Sequence, residues 1–170
     1  MKRLLLLLLP LLTVMQACTK EFSGGQEETI ISSSVTLLVS DEQRNDLLDP
    51  TSVSSKSVDL SKVKVFYVKD GKEELFDRKD YDSPRGFRLN KPEWTETRYS
   101  MLVYTNCESG EDISTTILEW DDGHRDIIKT AYLRPGNGSI IQQKIWINDE
   151  LIWDAVNKID PERPVYEITR

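Results

Sequence analysis

Short runs in which apolar and polar residues alternate recur along most of this 170-residue chain. Successive side chains of a β-strand point to opposite faces, so this alternation is typical of strands with one buried face. The runs are bounded by Gly, Asn, Asp and Pro, and no amphipathic helix of useful length is visible. We therefore expect about nine or ten short strands, in the segments 35–40, 63–69, 72–76, 86–90, 99–105, 114–120, 125–133, 139–147, 151–154 and 165–169.

Three turn signals connect pairs of these strands. Asp70-Gly71 predicts a type I′ hairpin, because both residue types tolerate positive φ. Asp121-Asp122-Gly123-His124 predicts a second hairpin, and Asn148-Asp149 predicts a third. Many short strands with regular turns favour an all-β, two-sheet antiparallel sandwich, immunoglobulin-like or related, over a barrel.

The third hairpin leaves two registers open. A two-residue turn would place Trp146 opposite Leu151 and put Trp146 and Trp153 on one face, where they could stack on a ligand such as a sugar ring. A three-residue turn would pair Ile145 with Trp153 and place that tryptophan in the core. Because a slip of one residue exchanges the faces of a strand, register decides between these outcomes. Core packing is the more common use of aromatic side chains in a sandwich.

Two segments do not fit the regular pattern. Residues 41–62 form a long polar connection whose Leu47 and Leu48 we expect to pack onto the body, with a binding loop as the alternative. Residues 77–94 are rich in aromatic side chains. Tyr81 and Trp94 in this segment are candidate ligand-binding residues on the flank of a groove, although they could instead cover an edge of the sandwich.

Catalytic constellations are scarce. The only histidine, His124, lies in a predicted hairpin tip, and no Gly-x-Ser-x-Gly nucleophile elbow is present. Neither HExxH nor CxxC spacing occurs, so no zinc hydrolase is indicated, and no glycine-rich loop carries the Lys-Ser/Thr of a phosphate-binding loop. We expect no catalytic residues and no cofactor other than a covalent lipid. A small hydrolase is the least favoured interpretation.

Carboxylates are the remaining candidates for chemistry. Asp121, Asp122 and Asp126 lie close together in the second hairpin and could hold calcium. They lack the alternating aspartates and the distal Glu of an EF-hand loop. An acidic, solvated surface is therefore the default interpretation of these three residues.

The N-terminus predicts export and lipidation. Lys2 and Arg3 precede an apolar run at residues 4–14, which is too short for a membrane-spanning helix but fits a secretory signal. The sequence Val-Met-Gln-Ala-Cys that ends at Cys18 resembles a lipobox, and the following Thr-Lys-Glu resembles an export signal for the bacterial cell surface. We expect a signal peptide at residues 1–17, a lipidated flexible tether at 18–33 and one β-domain at 34–170.

Charge excludes one class of partner. Without Lys2 and Arg3, 20 of the 22 basic residues would remain against 29 acidic residues, a formal net charge of −9. A chain with this excess of negative charge is a poor partner for nucleic acid. The expected membrane contact is the lipid on Cys18.

Four stretches together resemble a group of small Bacteroidetes surface lipoproteins of unassigned function. They are Asp46–Pro50, Val65–Lys72, Ile117–Trp120 and Lys144–Trp153. The resemblance supports a two-residue third turn and implies an outer-membrane location facing the cell exterior. It carries no catalytic residues. We therefore expect a non-catalytic domain that binds a glycan or a protein, with a structural or assembly accessory as the alternative.

Overall fold

The computed structural model describes residues 28–93, 97–157 and 164–170. Within these ranges the chain forms ten strands and no helix, so no helix there is long and apolar enough to cross a membrane. The strands are β1 (Ser34–Ser40), β2 (Lys64–Lys69), β3 (Lys72–Leu75), β4 (Phe87–Asn90), β5 (Ser100–Tyr104), β6 (Ile113–Glu119), β7 (Arg125–Leu133), β8 (Ile141–Ile147), β9 (Glu150–Asp154) and β10 (Val165–Thr169). The predicted all-β two-sheet sandwich is confirmed.

The strands form one four-stranded and one six-stranded sheet. The strand orders are β10-β1-β5-β4 and β3-β2-β6-β7-β8-β9. The neighbouring strands are antiparallel except β1 and β10, which are parallel. This pair departs from the purely antiparallel prediction because β10 starts at the end of the sandwich where β1 also starts.

Alternation along the strands builds the core. Val35, Leu37 and Val39 of β1 are fully buried, and they face inward with Val65 of β2 and Ile128 of β7. Near the start of β6 the inward positions are polar instead. The buried polar side chains at that end are Thr105, Asn106, Ser114, Thr116, Thr130 and Gln142.

The predicted turns are confirmed by their backbone angles. Asp70 and Gly71 have φ values of 50° and 72°, and Asn148 and Asp149 have φ values of 51° and 68°. In the second hairpin, Gly123 has a φ of 84° and its N–H donates to Trp120 O at 3.0 Å. Positive φ at these positions gives the turns a twist that matches the flanking strands.

A bulge in the third hairpin changes the predicted faces. The two-residue turn places Trp146 opposite Leu151 as expected, but the register then shifts, and Ile145 pairs with Trp153. The extra residue, Ile152, rotates the rest of β9 by one position. The prediction that Trp146 and Trp153 share one face is therefore wrong, because Trp153 is only 8% exposed and packs in the core.

The connection at residues 41–62 is packed on the body, as predicted from its leucines. Leu47 and Leu48 are buried, and Asp41 holds the following turn by accepting from the backbone N–H of Asn45 at 2.8 Å. Just before β1, the backbone N–H of Ser32 donates to Ile140 O at 2.8 Å. Residues 30–32 of the predicted tether therefore pair with the domain.

Candidate functional site

Among the depressions on the described part of the chain, two lie at opposite ends of the sandwich. The first, which we call the polar cleft, lies where β10 ends and has a volume of about 700 Å³. It is lined by Ser55, Lys56, Ser57, Asp121, Asp122, His124, Asp126, Ile147, Asn148, Tyr166, Glu167, Ile168, Thr169 and Arg170. The second, the aromatic groove, lies where β1 starts and has a volume of about 350 Å³.

A buried carboxylate organises the polar cleft. Asp126 is 4% exposed because it is an inward-facing residue at the start of β7. Its carboxylate accepts from Trp120 Nε1 at 2.6 Å and from Asn148 Nδ2 at 2.7 Å. These bonds join the second hairpin to the third, since Asn148 is also the first residue of the β8–β9 turn. Buried carboxyl oxygens need hydrogen-bond donors, and these two bonds supply them while fixing both turns.

A second cluster closes the cleft beside this carboxylate. The guanidinium of Arg170 lies 4.9 Å from the Trp120 ring and pairs with Asp121 at 3.4 Å and with Asp122. The backbone N–H of His124 donates to Asp122 at 2.9 Å. That bond and the charge of Arg170 hold the pKa of Asp122 below its ordinary value.

His124 is the exposed member of the site. Its Nε2 lies 3.5 Å from Asp126 Oδ1, and its side chain is otherwise largely in solvent. The tip position was predicted. The solvated surface expected for Asp121, Asp122 and Asp126 is wrong for Asp126, which is buried and accepts from Trp120 and Asn148. Imidazole, carboxylate, amide and guanidinium groups therefore converge on one opening, which can donate and accept hydrogen bonds to a polar ligand.

The three predicted metal candidates have protein partners. Asp121 and Asp122 pair with Arg170, and Asp126 accepts from an indole and an amide. In the described part of the chain, no group of three or more His, Cys, Asp or Glu side chains is placed to hold a metal ion.

Several lining residues carried no signal in the sequence. Lys56 comes from the 41–62 connection, Tyr166 and Arg170 come from β10 and the residue after it, and Asn148 was predicted only as a turn residue. These segments are far apart in the chain. The parallel pairing of β10 with β1 positions Tyr166 and Arg170, and the pairing of β8 with β7 positions Asn148. Spacing between residues could not have found this group.

The aromatic groove contains one of the predicted ligand-binding residues. Tyr81 is 48% exposed and packs edge-on against Phe76, with ring centroids 5.8 Å apart. Phe76 in turn packs on Tyr67 at 4.8 Å, and Arg78 lies over both Phe76 and Tyr81. Glu108 accepts from Arg78 at 3.0 Å. The groove is thus formed by side chains that contact one another.

The other predicted aromatic residues are separated. Trp146 is half-buried on the outer face of the six-stranded sheet, opposite Leu151, and Trp153 lies in the core. Trp94 lies outside the described residues, as does the predicted lipidation site Cys18. The structure does not bring Tyr81, Trp146 and Trp153 together into one binding surface.

Comparison with known proteins finds no matching family model, no matching curated protein and no matching solved structure. The geometry of the two depressions is therefore the basis for any functional proposal.

Proposed function

We propose that this chain is a lipid-anchored surface protein with a non-catalytic domain that binds a glycan in the polar cleft. The observation that carries the proposal is the buried Asp126, which locks two hairpin turns at the mouth of an opening of about 700 Å³. A pre-organised site loses less conformational entropy when a ligand binds.

The chemistry of the lining supports a polyhydroxylated ligand. Lys56 and Arg170 can donate, Asp122 can accept, and His124 and Tyr166 can do either. In the full lining, carboxylates outnumber the cations Lys56 and Arg170, and the whole chain is acidic. A neutral or amine-bearing glycan is therefore favoured over an acidic polymer.

The position of the cleft also supports the proposal. β1 starts at Ser34, at the end of the sandwich that holds the aromatic groove, and it ends at Ser40, which pairs with Thr169 at the cleft. If Cys18 carries the lipid, the cleft is at the end of the domain farther from the anchor.

The bonding of the carboxylates favours binding over catalysis. Hydrolysis of a glycosidic bond needs one carboxyl group whose raised pKa lets it act as an acid. Asp122 has a lowered pKa, and Asp121 and Asp126 already accept bonds from protein donors. This arrangement suits fixed acceptors for ligand hydroxyls.

A glycan array probed with the full chain in detergent, followed by titration calorimetry of the best-binding glycan, tests the proposal. His124→Ala and Lys56→Ala should each weaken binding about tenfold, which corresponds to about 1.4 kcal/mol. Tyr81→Ala in the aromatic groove is the matched control and should leave the Kd unchanged. Absence of any bound glycan, or a Kd unchanged from wild type in both cleft variants, would contradict the proposal.

A structural or assembly accessory is the second candidate function. One observation favours it, namely the apolar outer face of the six-stranded sheet, which the polar cleft does not use.

A further inference from the structure

The outer face of the six-stranded sheet carries apolar side chains across all six strands. Cross-strand pairing links Leu75 to Phe66, Phe66 to Ile117, and Ile117 to Ile127. On β8 and β9 the apolar positions are Trp146 and Leu151, which pair with each other. Trp146 is opposite Lys129 on β7, two residues along the strand from Ile127. Leu75, Ile127 and Leu151 are 53%, 42% and 37% exposed, whereas Ile117 is 7% exposed.

The other sheet provides an internal comparison. The outer face of the four-stranded sheet interleaves polar and apolar positions, such as Thr36, Leu38, Arg88 and Glu167. The outer face of the six-stranded sheet also carries charged positions, among them Lys64, Glu119, Arg125 and Lys129. Its apolar residues nevertheless form a continuous cross-strand row from β3 to β7, which is unusual on a solvated sheet face. Exposed apolar patches of this kind mark interaction sites.

We propose that this face binds the same face of a second copy of the chain. A two-fold axis parallel to the strands, passing between β6 and β7, would place β6 over β7 of the other copy, β2 over β8 and β3 over β9. The apolar row would then cover itself, with Ile117 over Ile127, Phe66 near Trp146 and Leu75 near Leu151.

The charges beside the row are also self-complementary. Glu119 on β6 pairs in register with Arg125 on β7, and the same axis brings Glu119 of one copy over Arg125 of the other. Within one copy, Arg125 already contacts Glu119 at 2.7 Å and lies 5.2 Å from the Phe66 ring. At the edge of the apolar row, this guanidinium can therefore interact with Glu119 of its own copy and with Glu119 of the second copy.

The size of the face suits such a contact. Six strands spaced about 4.8 Å apart and about six residues long span a plane of roughly 600 Å². A standard stable interface buries about 800 Å² of accessible surface per partner, and side-chain relief increases accessible area beyond the flat plane. Two aligned sheets also pack face to face with their strands within about 30° of each other.

Cross-linking of the full chain in membranes tests the contact. Ile127→Cys, placed near the axis in a Cys107→Ser background, should yield a cross-linked dimer with a short bis-maleimide. Leu38→Cys on the outer face of the four-stranded sheet is the matched control and should give none. An adduct of Ile127→Cys with a different protein, or equal dimer yields from both positions, would overturn the proposal.

Sedimentation velocity of the detergent-solubilised chain provides an independent readout. The wild-type protein should be a dimer, and Ile127→Glu and Leu151→Glu should each be monomers with unchanged circular dichroism. A monomeric wild-type protein, or dimers in both folded variants, would contradict a second copy on this face. If the wild-type protein is a dimer but binds no glycan, the result would count against the glycan site in the polar cleft and not against the dimer.

Discussion

The polar cleft and the aromatic groove lie at opposite ends of one sandwich and are built on different chemistry. In the cleft, the side chains are held by a buried carboxylate that accepts from Trp120 and Asn148. In the groove, Tyr67, Phe76 and Tyr81 pack on one another beneath Arg78. Aromatic side chains here mainly cover the domain, whereas charged residues form the opening suited to a ligand.

Loss of the buried carboxylate should have the largest effect. Asp126→Ala leaves the indole N–H of Trp120 and the amide of Asn148 without their acceptor, and we expect a loss of about 3 kcal/mol in the free energy of unfolding. Urea denaturation measures it. Tyr81→Ala at the aromatic groove should lose about 1 kcal/mol or less, because the side chain is half-exposed. Similar losses of unfolding free energy in the two variants would contradict the distinction between the polar cleft and the aromatic groove.

Alkaline pH should destabilise the protein through buried tyrosines at the end of the sandwich that holds the aromatic groove. Burial raises the pKa of Tyr132 to about 12 and also raises the pKa of Tyr67. A raised folded-state pKa gives stability that is complete below the unfolded value near 10 and is lost as pH rises through the folded value. For Tyr132 we expect a loss of about 2 kcal/mol between about pH 10 and 12, because one unit of pKa shift corresponds to about 1.4 kcal/mol.

Denaturant unfolding of wild type and Tyr132→Phe across this alkaline range measures the effect. The variant lacks the phenol, so its stability should fall less steeply with pH. Parallel pH profiles for the two proteins would show that Tyr132 is not the titrating group.

Acid pH should destabilise the protein through Asp122 in the polar cleft, by less than alkaline pH does through Tyr132. The lowered pKa of Asp122 gives stability that is present above the unfolded value, near 4, and is lost as pH falls through the folded value. Asp122→Asn should therefore be less stable than wild type at neutral pH and equally stable in strong acid. A stability difference that stays constant from pH 7 to pH 2 would contradict the assigned pKa.

Much of the fold could be predicted from the sequence because strand alternation and turn chemistry are local properties. The Asp70-Gly71 and Asn148-Asp149 turns were predicted correctly, and Arg125–Leu133 and Val165–Thr169 have the expected bounds. The bulge at Ile152 was not predicted, because the register shift has no marker such as glycine. That single residue moved Trp153 from a candidate binding face into the core.

The polar cleft was less predictable than the fold. Asp121, Asp122 and Asp126 were identified as a cluster, but their partners Asn148 and Arg170 come from other parts of the chain. The parallel pairing of β10 brings Arg170 to this cluster, and alternation alone does not specify which strands pair. The site therefore depends on topology, whereas its individual strands depend on sequence pattern.

Hydrogen–deuterium exchange of the full chain, with and without the best-binding glycan of the array, tests the central claim most directly. The account predicts slower exchange in residues 121–126 and 166–170, which line the polar cleft, and unchanged exchange in residues 76–83 at the aromatic groove. Protection confined to residues 76–83 would contradict the assignment of ligand binding to the polar cleft.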